Sequence, residues 1–166
     1  MRKYLFILFT VLSFLSHSQD NKPKPAHIGG ETIPIVGSNS NDIMIFLILS
    51  DNYATQLGMM LSRAHKYNDI IRMQGKKYYL GKKVFLTPEE IAELDTDEED
   101  SNYKYIFRLT STKGSEGFAW AYNFGTVDIK TGMIYYKNNI YQNNQKKEAK
   151  RQIKFLEECR IINGGK

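Results

Sequence analysis

Tyr103-Lys104-Tyr105-Ile106-Phe107-Arg108-Leu109-Thr110 sets large apolar residues at every second position, with Lys104, Ile106, Arg108 and Thr110 between them. Side chains two apart share a face of a strand, so this period predicts a half-buried β-strand. Phe118, Trp120, Tyr122 and Phe124 repeat the pattern against Ala119, Ala121 and Asn123. Beyond Gly125 the apolar parity moves to Val127 and Ile129, which predicts a β-bulge at Gly125 that returns them to one face. Lys130-Thr131-Gly132 then turns the chain into Met133–Lys137, with Gly132 suited to the left-handed position of a three-residue loop. Together these segments predict a three-strand antiparallel meander.

Working toward the N-terminus, Thr87-Pro88-Glu89-Glu90 combines an N-cap, a proline at the first helical position and a glutamate at the third. That capping box predicts a short helix to about Leu94. Before it, Tyr78-Tyr79-Leu80 and Val84-Phe85-Leu86 flank Gly81-Lys82-Lys83, the pattern of a short hairpin. Leu57, Met60, Leu61, Ala64, Tyr67 and Ile71 follow helical spacing, with Ser50 or Asp51 to cap the start and Gly75 just past the end. Ile43–Leu49 is a seven-residue apolar run that fits a buried strand or the first turns of a buried helix; its length favours the strand, and periodicity does not decide. At the other end, Ala149, Ile153, Leu156 and Cys159 share one face of a last helix beginning near Gln145, with Gly164 after it.

The order helix, hairpin, short helix, meander, helix predicts an α+β domain. Its small antiparallel sheet, the hairpin plus the three-strand meander, would be packed by an N-terminal and a C-terminal helix. A cystatin-like or NTF2-like half-cone fits that order by architectural analogy. The doubled rings Tyr78/Tyr79 and Tyr135/Tyr136 would put aromatics on both sheet faces, which calls for a second cover or a binding surface.

The N-terminus supplies an address. Met1-Arg2-Lys3-Tyr4 is cationic, Leu5–Leu15 is apolar but for Thr10 and Ser13, and Ser16 and Ser18 stand at −3 and −1 of a cleavage site. This is the layout of a secretory signal peptide over residues 1–18, with an apolar core too short to span a bilayer. Residues 19–41, with Lys22-Pro23-Lys24-Pro25, Gly29-Gly30 and Gly37-Ser38-Asn39-Ser40, read as a flexible linker, and 42–166 as a single domain. Cleavage leaves 148 residues, enough for one core without staples. Cys159 is the only cysteine, so no internal disulfide forms and no lipid-accepting Cys follows the apolar run. Export without disulfides suits a bacterial periplasmic or extracellular protein.

Loss of Arg2 and Lys3 leaves 21 Lys and Arg against 18 Asp and Glu, a charge of +3. The distribution is lopsided: Glu89–Asp100 carries eight acidic residues and no basic one. Lys76, Lys77, Lys82 and Lys83 precede that run, and Lys146, Lys147, Lys150, Arg151 and Lys154 lie near the end. The rings among the lysines at 76–83 resemble a single-strand nucleic-acid surface. The adjacent acidic run and the export signal favour no nucleic-acid partner.

Catalytic motifs are sparse. Asp95, Asp97 and Glu99 are spaced like the first ligands of a calcium loop, but Asp100 stands where glycine is needed and Ile106 where the closing glutamate belongs. Weak Ca2+ binding is the one cofactor this run accommodates. His65 has no second His or Cys at ligand spacing, and Gly114-Ser115-Glu116-Gly117 is not a nucleophile elbow. Ile45–Ala54 resembles the first strand and nucleotide-binding turn of retaining family 8 glycosyltransferases, and Asp95-Thr96-Asp97 resembles their metal-binding D-x-D. The two pieces lie closer together than in that family and the rest of the chain is too short for its fold, so no catalytic role is carried over.

The sequence therefore predicts an exported, non-enzymatic binding or interaction protein, of immunity or inhibitor type in one version. Its partner would be a protein in the cell envelope or outside, with no stable membrane insertion after signal cleavage. The expected contact residues are Tyr78, Tyr79, Trp120, Tyr122 and Tyr135. The alternatives are a small carboxylate- or metal-dependent hydrolase, or a small-ligand carrier with a pocket between the sheet and the Leu57–Ile71 helix.

Overall fold

The computed structural model describes residues 41–94, 101–113, 121–136 and 144–163. Residues 1–40, 95–100, 114–120, 137–143 and 164–166 lie outside the described residues.

β1 (Ile43–Leu47) is followed by two helices, α1 (Asp51–Gln56) and α2 (Leu61–Tyr78), and then by β2 (Lys83–Leu86). Next come the short α3 (Pro88–Ala92), β3 (Tyr103–Lys113), β4 (Ala121–Asp128), β5 (Ile134–Tyr135) and α4 (Gln145–Ile162). The five strands form one sheet in the order β2-β1-β3-β4-β5. The α+β class holds, but the sheet is mixed. β1 pairs parallel with both β2 and β3, while β3–β4 and β4–β5 are antiparallel. The half-cone analogy rested on a wholly antiparallel sheet and does not extend to the N-terminal strands.

The reason lies in β1. Met44, Ile45 and Phe46 are consecutive and all buried, so both faces of this strand are covered, as parallel strands with crossover connections require. Met44, Phe46 and Ile48 join Tyr105, Phe107, Phe124 and Tyr135 in one core cluster. Ala64, Tyr67 and Ile71 of α2 pack on it together with Ala149, Ile153, Leu156 and Cys159 of α4. Ile45 and Val127 are buried outside that cluster, on the opposite face.

Three local predictions change. The expected hairpin at 78–86 is absent because α2 runs on through Gly75 to Tyr78, and Val84–Leu86 lies parallel to β1. Gly75 is there for proximity: a Cβ on it would stand 3.1 Å from Phe85 and 3.3 Å from Phe46. The long first helix is instead broken earlier, where Gly58 adopts φ +64° between α1 and α2. The β3–β4 irregularity falls between Leu109 and Ser111 rather than at Gly125, which pairs in register with Arg108. No bulge is needed at Gly125, because Phe124 and Val127 serve opposite faces and both are buried.

Other signals appear as expected. Ser50 caps α1 by accepting from the Tyr53 N–H, Thr87 and Glu90 form the full capping box, and Gly132 sits at φ +69°. Two substitutions separate the roles of the glycines. Gly75→Leu is expected to lower stability by roughly 1–3 kcal/mol through overpacking. Gly58→Ala, with open space around it, is expected to cost about 1 kcal/mol through backbone strain alone. Urea unfolding midpoints at constant slope measure both.

Candidate functional site

In a sheet with the order β2-β1-β3, the parallel strands diverge to either side of β1, and a ligand crevice is expected at their carboxyl ends. Here the chain fills that place itself. The Tyr67 hydroxyl donates to the Leu47 carbonyl (3.1 Å), and burial raises its pKa above the ordinary phenol range against the lowering effects of the Leu109 backbone and Arg108. Asn68 accepts from the Leu49 N–H and donates to the Leu49 carbonyl, both at 2.8 Å. The Ser50 hydroxyl donates to Glu89 (2.7 Å), and His65 meets Asp51 (2.8 Å) on the exposed side. Most polar groups at the switch point are therefore engaged with one another. Among the described residues no group of three or more His, Cys, Asp or Glu side chains is placed to hold a metal ion.

A different surface remains open. α2 and α4 lie side by side. Their edge forms a groove of about 390 Å³ lined by Met73, Gln74, Lys77 and Tyr78 from α2 and by Asn144, Lys146, Lys147 and Lys150 at the start of α4. Helical spacing explains the composition. Met73 and Lys77 are one turn apart, as are Lys146, Lys150 and Lys154, so each helix presents a continuous stripe. The ammonium groups of Lys77, Lys150 and Lys154 stand 5.5, 5.2 and 5.2 Å from the centre of the Tyr78 ring. Desolvation is the largest single effect on Tyr78 and raises its pKa, but the Lys150 hydrogen bond and the charges of Lys150, Lys77 and Lys154 together outweigh it and lower the phenol below its usual value.

Lys146 and Lys147 occupy the first turn of α4, where the helix dipole disfavours cations by about 0.3–1 kcal/mol each. Lys77, in the last turn of α2, is favoured by the same effect. The charge of the groove is thus assembled partly against local preference.

A buried network holds the exit of α2 in place. Glu157 accepts from the Leu80 N–H (3.0 Å) and from Arg160 at two atoms (2.9 and 2.6 Å). Burial raises the Glu157 pKa, yet Arg160, the Leu80 N–H and Lys83 outweigh it and keep the carboxyl below its ordinary range. Beside this network Tyr79 is buried, and desolvation lifts its phenol to about 12.

The expected contact residues separate. Tyr78 lies in the groove as the last residue of α2, not in a hairpin strand. Tyr79 and Tyr135 are buried, the latter edge-on to Tyr105 at 6.4 Å, so neither ring faces solvent. Phe124 stacks between Tyr67 and Phe107. Tyr122 belongs to β4, while Trp120, Asp95, Asp97 and Glu99 lie outside the described residues. The carrier pocket expected under the first helix is occupied by Ala64, Tyr67, Ile71, Phe46 and Phe124 of the core. Met73 was not anticipated as a site residue. It is exposed on α2 one turn before Lys77, and that spacing was the available signal.

Compared with known proteins, the chain matches no family model, and no curated protein or solved structure matches it significantly. Among the described residues no helix is long and apolar enough to cross a membrane.

Because its native pKa is depressed, Glu157 contributes stability above the unfolded value of 4.5, and this is lost as pH falls through the native one. Glu157→Gln is expected to cost roughly 1–3 kcal/mol at neutral pH and to flatten the acid limb of stability. Chemical unfolding from pH 3 to 7 tests this, and an unaltered acid limb would remove the pair from the account.

Proposed function

We propose that the protein is an exported, non-enzymatic binding protein that engages an acidic face of a protein partner through the groove between α2 and α4. Convergence of Lys77, Lys150 and Lys154 on the Tyr78 ring carries this reading. Three like charges around one half-buried ring repel each other, and an arriving carboxylate relieves that repulsion while keeping the cation–ring contacts. The placement of Lys146 and Lys147 against the helix dipole supports the same view, since stability alone favours acids there. Electrostatic steering of this kind speeds encounter and selects partners more than it adds affinity.

Export is part of the proposal and rests on the signal-like residues 1–18. It places the partner in the periplasm, in the envelope or outside the cell, and an immunity or inhibitor role is one concrete form. N-terminal sequencing of the secreted product is expected to begin at Gln19.

Two reversals on α4 test the groove. Lys150→Glu with Lys154→Glu is expected to weaken retention of an envelope partner by tenfold or more, with little change in melting temperature because both residues are exposed. Wild-type retention should also fall as salt rises to about 0.5 M, where exposed charges are largely screened. Equal retention by the double variant would move the site elsewhere.

A further inference from the structure

We propose that the groove reads an extended acidic segment of its partner, with the Gln74 amide paired to a main-chain peptide group and a neighbouring carboxylate seated among the lysines. This rests on the groove reading above and specifies the occupant. Gln74 lines the groove although only 3% of it is exposed. Among the described residues nothing hydrogen-bonds its side chain, and the amide is not sealed in, so its open side is the groove. A nearly buried amide without partners costs stability, and methionine or leucine would serve the fold better there. The glutamine therefore points to a ligand.

Two features define the chemistry of that ligand. An amide offers an acceptor oxygen and two donor hydrogens, so a phosphate or sulfate, rich in acceptors alone, would leave the oxygen unused. A peptide group supplies both roles. One helical turn on from Gln74, about 5.4 Å along α2, stands Tyr78, whose ring centre has the ammonium groups of Lys77, Lys150 and Lys154 at 5.5, 5.2 and 5.2 Å. The ligand thus needs a peptide group and, within the reach of one side chain, an anion. An aspartate or glutamate with its own main chain meets both needs. That main chain must be open. Inside a helix the N–H and C=O groups are already paired with each other, whereas in an extended segment they remain available.

The test uses the mature chain and defined probes. A flexible hexapeptide of alternating Gly and Glu, blocked at both ends, is titrated by calorimetry beside its ester-linked analogue, which keeps the charges but lacks main-chain N–H groups. The peptide is expected to bind about tenfold tighter than the analogue. Gln74→Met, checked for folding by melting, is expected to erase that difference and leave binding of the analogue unchanged. In the wild type, the nitrogen-15 resonance of the Gln74 side-chain amide should shift with the peptide and much less with the analogue, a readout that does not depend on the variant. Lys150→Glu with Lys154→Glu should weaken both probes. Equal binding of peptide and analogue, an unmoved Gln74 resonance, or discrimination that survives Gln74→Met would each overturn the extended-segment proposal. So would tighter binding of a helix-locked peptide of equal charge, of polyphosphate or of phosphatidylglycerol vesicles. Binding of no probe, or indifference of both peptides to the lysine reversals, would overturn the groove reading itself.

Discussion

The ring of Phe46 is the contact on which the rest of the molecule depends. It is fully buried and meets Tyr79 at 5.7 Å, Phe85 at 5.4 Å and Phe107 at 5.3 Å. These partners come from the exit of α2, from β2 and from β3, so one side chain joins both parallel neighbours of β1 to the helix above them. Aromatic pairs of this geometry contribute about 0.5–1.5 kcal/mol each beyond their buried area. The same ring also dictates a glycine. Only a residue without a Cβ lets α2 approach Phe46 and Phe85 as closely as Gly75 does.

That approach has a functional consequence. Seated on the sheet at Gly75, α2 continues for its last turn alongside α4, bringing Lys77 and Tyr78 to Lys150 and Lys154. The chain then enters the core through Tyr79 and leaves at Leu80, whose N–H is held by Glu157. Groove and core are thus two sides of one constraint. Tyr79 faces the core and Tyr78 the groove, because the helix ends between them.

Local signals were legible wherever a short-range rule governs. The Ser50 cap, the Thr87–Glu90 capping box, the Gly132 turn, the alternation of β3 and the buried face of α4 all concern residues within one turn or one strand of each other. The misjudged elements share another cause. Gly75 looked like a helix stop because glycine usually is one, and Tyr78–Leu80 looked like a strand because it is aromatic and precedes a glycine. Both were settled by packing on Phe46 and Phe85, which lie elsewhere in the chain. Of the candidate site, Tyr78 and the two lysine clusters were visible as composition, but their meeting was not.

The sequence by itself determined the N-terminal signal layout, the charge segregation, the α+β class and most element boundaries, since these follow from composition, periodicity and capping over a few residues. The tertiary structure decided three things: the parallel pairing of β1, the burial of Tyr79 and Tyr135, and the side-by-side course of α2 and α4. Strand direction and helix neighbourhood depend on contacts between residues far apart in sequence. Lys77 and Lys150, more than seventy positions apart, become one site only when a shared core brings their helices together.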